Sequence, residues 1–335
     1  MATMRDVARL ARVSITTVSH VINGTRFVSP DLRARVLEAM GLLRYRPNML
    51  ARSLRLKQSR IIGLLVPDNM NPFFAQLSRV VEDSGFAAGY SVILCNSDGK
   101  LEKEQAYIEL LAAKQVDGII LIATGGDDQI IELLCQTGVP FIMADRRPGT
   151  AKVDMVLVDN FGGGYRATRH LLGLGHRRVA CIAGPHEAAP SADRVGGYRA
   201  ALQEVGIEPD EALVVRGDFL RHGGAEAMCQ LLELAEPPTA VFACNDLMAI
   251  GALSTLSERG LRVPADVSLV GFDDIPDARL TSPPLTTVAQ PIEEIGRRAT
   301  EMLLERVTSK EPIPHRRLLL DVALVERGTC APRET

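Results

Sequence analysis

Polar and aromatic side chains recur just after short apolar runs along the chain, and their types suit one kind of chemistry. Asn71-Pro72-Phe73-Phe74 follows IIGLLVPD at 61–68, Asp145-Arg146 closes PFIMAD at 140–145, and a polar loop after RVACIAG at 178–184 leads to Arg194. Asp218-Phe219 follows ALVVRGD at 212–218, and Asn245-Asp246 ends TAVFACND at 239–246. Asp273-Asp274 ends VSLVGFDD at 267–274, and Gln290 stands in TTVAQPIEEIG at 286–296. Carboxylates, amides and guanidinium groups suit vicinal hydroxyls, while aromatic faces suit the C–H face of a sugar ring. Asp218, Asp246 and Asp274 read more simply as helix caps or turn residues. Phe73 and Phe74 also suit a core. Acid–base catalysis has no comparable footing, because Asp273-Asp274 is a lone acidic pair with no partner group arranged beside it.

A second chemistry sits at the N-terminus. Residues 1–60 carry a charge of +9 and the rest of the chain −12, behind a formal net charge of only −3. A small basic head on an acidic body is the footprint of polyanion binding, against the plainer alternative of a solvated Arg-rich surface. Val7, Ala8 and Leu10 share one face of a first helix; Ser14 can cap a second, ITTVSHVIN at 15–23, striped by Val18, Val21 and Ile22. Ile15, Thr16, Thr17, Ser19 and His20 then face outward, where a helix-turn-helix enters the major groove. There Thr and His can bond base edges and Ile15 can touch a thymine methyl. Thr3, Ser14, Asn23 and Arg55 complete the candidate DNA contacts.

Asn23-Gly24 ends the second helix, and Ser29-Pro30 starts a third that runs to Leu43. Arg12 stands in the turn, where Gly is common because a left-handed backbone disfavours a Cβ. Arg12 therefore either costs stability or reaches a phosphate. NMLARSLRLKQSR at 48–60 contains a short amphipathic helix with Leu50, Ala51 and Leu54 opposite Arg52, Arg55 and Lys57. Two turns rarely persist alone in water. Two copies on DNA could present Leu54 as a minor-groove wedge; a plain linker is the alternative.

The elements that must position the polar set are strands and helices in alternation. Beyond residue 60, mostly apolar β-branched runs alternate with helical stretches, which predicts parallel sheets covered on both faces. Two series of four or five strands, with a break near 159–161, predict two doubly wound subdomains around a hinged cleft. TTVAQPIEEIG and a last strand pair, RRLLLDVALVERG at 316–328, should return across the boundary. Ligands in such sheets bind outside the C-terminal strand ends, which is where the polar set falls. The length of 335 residues suits more than one domain.

Other classes are excluded or weak. The longest apolar runs are strand-sized, short of a membrane span. The N-terminus, with Arg5, Asp6, Arg9 and Arg12, has no apolar signal-peptide region, so the expected location is cytoplasmic. Six cysteines without a C-x-x-C pair point to reduced, mostly buried thiols and to no metal site. Gly162-Gly163-Gly164-Tyr165-Arg166-Ala167 matches G-x-G-x-x-A, but Glu187, the nearest suitably spaced acid, falls in a loop; close helix packing is the better reading. No nucleophile elbow or Walker A loop occurs, so neither enzyme activity nor a cofactor is expected.

DVARLARVSITTVSHVING, FVSPDLRARVLEAM and YRPNMLARSL resemble the DNA-binding head of the LacI/GalR family of bacterial transcription regulators, and the rest of the chain fits the same family. The resemblance implies a helix-turn-helix domain at 1–46, a hinge at 47–59, and an effector-binding and dimerisation domain at 60–335. That domain would divide into an N-subdomain (60–159 and 290–318) and a C-subdomain (160–289 and 319–330) of periplasmic-binding-protein type I. It further implies a homodimer reading a near-palindromic operator. No leucine-heptad tail follows Glu326, which favours a dimer over a tetramer. Asn71, Phe73, Phe74, Asp145, Arg146, Arg194, Phe219, Asn245, Asp273 and Gln290 resemble the site of ribose-binding periplasmic proteins. This implies release from the operator of a ribose-utilisation operon by D-ribose or a related sugar, although the residues leave the sign of coupling open. The alternative is a purine-responsive, corepressed member of the family, for which the loop 186–192 would be expected to hold Arg and Thr; it holds neither.

Overall fold

The computed structural model describes residues 2–24, 26–45, 58–122, 127–145, 152–186 and 188–333. The chain forms two compact units, Met1–Arg60 and Ile61–Thr335.

In the first unit, α1 (Met4–Ala11), α2 (Ile15–Asn23) and α3 (Pro30–Leu42) close on Val7, Ala8, Ala11, Val18, Val21, Val36 and Ala39. Thr3 and Asp6 form a capping box on α1, the Asp6 amide donating to Thr3 Oγ1 and the Thr3 amide to the Asp6 carboxylate. Ser14 caps α2 by accepting from the Thr17 amide at 3.0 Å, as its position implies. Arg12 occupies the left-handed region (φ 49°), and Arg35 Nη2 donates to the carbonyls of Ala11 (2.6 Å) and Arg12 (3.3 Å), clamping the turn. A left-handed non-glycine residue costs roughly 1–2 kcal/mol. Arg12→Gly is therefore expected to raise the stability of the head by about 1 kcal/mol in urea unfolding. A parallel fall in operator affinity with a shallower salt slope would mark Arg12 as a phosphate contact.

The second unit holds two six-stranded sheets. The first runs β11 (Arg317–Leu320), β5 (Met155–Val158), β4 (Phe141–Ala144), β3 (Gly118–Leu121), β1 (Ile61–Val66), β2 (Ser91–Asn96), all parallel. The second runs β12 (Ala323–Val325), β10 (Thr286–Ala289), β9 (Ser268–Asp273), β8 (Ala240–Ala243), β6 (Val179–Ala183), β7 (Val214–Arg216) and is parallel apart from β12. The chain passes between sheets after β5, after β10 and after β11, so three short crossings join the two halves. Sheet centres are apolar and fully covered: Ile62, Leu64, Ile120 and Ile142 in the first, Cys181, Val241, Phe242 and Val270 in the second.

Two local expectations are corrected. β2 is an edge strand with Ile93 36% and Leu94 44% exposed, not covered on both faces. The stretch at 212–218 opens as a single 3-10 turn, Glu211–Leu213, held by Asp210 accepting from the Ala212 amide, which leaves only Val214–Arg216 for β7. The six cysteines are free, but only Cys95, Cys181 and Cys244 are buried, and Cys135 is exposed. Among the described residues, no helix is long and apolar enough to cross a membrane.

Candidate functional site

Nine of the ten residues expected at a sugar site line one cavity of about 680 Å³ in the second unit: Asn71, Phe73, Phe74, Asp145, Arg194, Phe219, Asn245, Asp273 and Gln290. Arg146 lies outside the described residues, as do Leu54 and Arg55 of the hinge. Pro67, Asp68, Asp98, Gly99, Ile122, Pro185, Ala188, Ala189, Pro190, Asp218 and Leu220 complete the wall.

The cavity residues are set by the strand ends and by helix caps. Asn71 caps the helix Pro72–Ala87, its Oδ1 accepting from the Phe73 amide at 3.0 Å, so the cap itself fixes the side chain that faces the cavity. Phe73 and Phe74 meet edge to face, centroids 5.1 Å apart at 74°, rather than stacked. Asn245 caps the helix Asp246–Glu258 through the Met248 amide (2.9 Å), and its Nδ2 donates to the Phe219 carbonyl (2.9 Å). Asp145, Phe219 and Asp273 all have positive φ (56°, 67° and 115°). Backbone strain of this kind costs on the order of 1–3 kcal/mol each and collects at functional sites.

Arg194 is the cavity's organising charge and is only 3% exposed. Its Nε donates to Asn160 Oδ1 (2.8 Å), its Nη1 donates to the Cys244 carbonyl (2.5 Å) and lies 3.7 Å from Asp273 Oδ1, and its guanidinium carbon sits 3.7 Å over the Phe272 ring. Gln290 Nε2 donates to Asp273 Oδ1 at 2.7 Å. Burial pushes the Asp145 carboxyl up to about 7 and the Asp273 carboxyl to about 6, while the Arg194 charge pulls both back and Gln290 further restrains Asp273. Asp145 Oδ1 and Gln290 Oε1 are buried without a hydrogen-bond partner among the described residues, so both can receive hydroxyl protons. Asp218 accepts from the Leu220 amide (2.8 Å), a turn role as expected. Asp246 is not the cap: fully buried, it accepts from Thr287 Oγ1 (2.5 Å) and the Ile275 amide (2.9 Å). Asp274 pairs with Arg279 and Arg327. Asn160, just past β5, and Phe272, inside β9, were missed from sequence because neither lines the cavity; each touches Arg194 instead.

In the head, Ile15 and Thr16 are the most exposed residues of the opening of α2; Thr17, Ser19 and His20 are half-buried. Asn23 Nδ2 donates to the Ser19 carbonyl (2.7 Å), and Ser14 Oγ lies 2.8 Å from Thr17 Oγ1.

Residues 3–48 match bacterial regulatory proteins of the lacI family, and residues 59–326 match periplasmic binding proteins and the sugar binding domain of the LacI family. The chain belongs to the LacI family. It is 43% identical to the ribose operon repressor of Escherichia coli (strain K12), over 98% of this chain and 100% of that protein. It is 41% identical to the HTH-type transcriptional repressor PurR of Vibrio atlanticus, over 98% of each. Its structure resembles the lac repressor dimer bound to operator and the anti-inducer ONPF (TM-score 0.88, 31% identity, 98% of this chain and 99% of that one). It also resembles a LacI family transcriptional regulator from Enterococcus faecium with bound ribose (TM-score 0.74, 35% identity, 82% and 100%). This LacI-family chain is thus a DNA-binding transcriptional repressor, with a helix-turn-helix head and a periplasmic-binding-protein-like body. Its relatives are transcriptional regulators.

Proposed function

We propose that this LacI-family repressor controls a sugar-utilisation operon and that D-ribose, or a closely related unphosphorylated sugar, is the effector that releases it from its operator. The convergence of nine separately placed residues on one cavity carries this reading. The wall chemistry supports it: Asn, Gln, Arg and Asp groups for hydroxyls, and Phe73, Phe74 and Phe219 for the ring. Arg194 is the only cation lining the cavity among the described residues, against Asp68, Asp98, Asp145, Asp218 and Asp273, which disfavours a phosphorylated sugar. The family relationship, including a ribose operon repressor and a ribose-bound neighbour, supports the same choice.

In this reading the protein is a cytoplasmic homodimer without enzymatic activity. Its head ends near residue 46 and its hinge near 59. Two heads read a palindromic operator through Ile15, Thr16, Thr17, Ser19 and His20, with contacts from Thr3, Ser14 and Asn23 beside them. Leu54 wedges the operator centre and Arg55 meets a phosphate. Exposed Ile93, Leu94 and Phe86 support an apolar contact with a second copy. Sugar touching both halves of the cleft biases a two-state body, and effector and operator then oppose each other reciprocally. Calorimetric titration of the full chain with D-ribose, other pentoses and hexoses, hypoxanthine and guanine tests the assignment. Micromolar affinity for ribose alone is expected. Silence with every sugar and heat from a purine would replace the effector and leave the repressor.

A further inference from the structure

The glycine triplet that mimics a dinucleotide motif brings two helices into backbone contact beside Arg194. A Cβ added to Gly164 would lie 2.1 Å from the Arg194 carbonyl oxygen, and one on Gly163 would lie 2.5 Å from the Phe272 ring. On the facing helix, a Cβ on Gly197 would lie 2.1 Å from the Phe161 carbonyl oxygen. This approach places Asn160, the first residue of the helix Asn160–Gly173 and 6% exposed, against the Arg194 side chain. Both ends of its amide are assigned: Oδ1 accepts from Arg194 Nε at 2.8 Å, and Nδ2 donates to the Val158 carbonyl at 3.3 Å. The position also falls on the first crossing between sheets, where the Asp159 amide donates to the carbonyl of Leu320, the last residue of β11 before the third crossing (2.9 Å).

We propose that Asn160 is a positioning residue that sets effector specificity by fixing the rotation of the Arg194 guanidinium. This rests on the reading of the cavity as the sugar site. The Phe272 ring fixes the plane of the guanidinium, while Asn160 and the Cys244 carbonyl fix its angle within that plane. Nη2 makes no hydrogen bond among the described residues and is left for a ligand hydroxyl at one defined angle. Asn160 does not line the sugar cavity itself but an adjoining pocket that shares Asp145, Ala189 and Pro190 with it, and its contact with the cavity wall is Arg194. Without its acceptor, Nε is left unpaired and the guanidinium is free to swing toward Asp145 or Asp273. An aspartate keeps the shape but turns a carboxylate oxygen toward the Val158 carbonyl, replacing a donor with an acceptor.

D-ribose, D-arabinose and D-xylose are titrated calorimetrically into the full chain and its Asn160→Ala and Asn160→Asp variants, with operator affinity without sugar reporting the fold. Ribose affinity is expected to fall roughly tenfold in both, the preference for ribose over its epimers to shrink, and operator affinity to stay within about twofold. Unchanged preference, or an equal loss for all three sugars, would overturn the proposal while leaving ribose as effector. Loss of operator binding by the isosteric Asn160→Asp would also overturn it, by making the residue structural. A wild-type chain silent to every sugar would remove the sugar-site reading, and this proposal with it.

Discussion

Arg194→Met is expected to abolish the response to ribose while leaving the effector-free operator complex intact. The substitution keeps an unbranched apolar side chain at the site and removes the only described cation of the cavity wall, the guanidinium that lies over Phe272. Three groups then lose their donor or counter-charge at once: Asn160 Oδ1, the Cys244 carbonyl and the Asp273 carboxylate. Removing one partner of a buried charge pair costs about 3–5 kcal/mol, much of it from the group left behind. If half of that falls on the complex, sugar affinity drops roughly 10- to 70-fold. Asp145 and Asp273 also lose the charge that holds them down, so both carboxyls rise further and become poorer acceptors at neutral pH. Calorimetry reads the affinity, and fluorescence anisotropy with labelled operator, with and without ribose, reads the response. An affinity within fivefold of wild type would remove Arg194 from the site.

Much of this site was legible because a parallel sheet exposes its ligand surface at a predictable place. Once β1, β4, β6, β8 and β9 were recognised as apolar runs, the residues just beyond each could be read as neighbours, although they lie far apart in sequence. The rule works for Asn71, Asp145, Asn245 and Asp273 because each sits at a strand end or on the first turn after it. It fails for groups that reach the site from behind. Asn160 follows β5 at the edge of the cleft, and Phe272 is a strand-interior residue whose ring happens to lie beneath Arg194; only packing shows either. The same limit explains Asp246. A residue at a helix start reads as a cap, yet Asn245 takes that task and Asp246 turns inward to tie β10 and the segment after β9 together. β2 misleads for another reason: its apolar composition signals burial, yet it lies at the sheet edge and no described residue covers Ile93 and Leu94.

The paired carboxyls make effector binding depend on pH in a direction that can be worked out. Asp145 at about 7 and Asp273 at about 6 each bind a proton more readily than an exposed aspartate, because burial penalises the ionised form more than Arg194 favours it. A sugar hydroxyl donates to an ionised carboxylate and so compensates for lost hydration. Binding therefore favours the ionised forms and lowers both values in the complex. By linkage, affinity for ribose rises with pH through the window from about 5.5 to 7.5 and levels off above it; it is expected to be at least about tenfold weaker at pH 5.5 than at pH 8. Stability of the effector-free body runs the other way over this range. Since the folded values lie above the unfolded one, the folded state holds more protons between about 4 and 7, and the contribution of these two groups declines as pH rises through that range. The stabilisation that ribose confers is then greatest at neutral and alkaline pH, where the empty cleft carries its unfavourable charge. Calorimetry at fixed ionic strength across pH 5.5–8 measures the first effect, and the melting temperature with and without saturating ribose measures the second. A flat affinity profile would mean that one carboxyl stays protonated and donates to the sugar, and Asp145→Asn, which mimics that state, would then retain wild-type affinity.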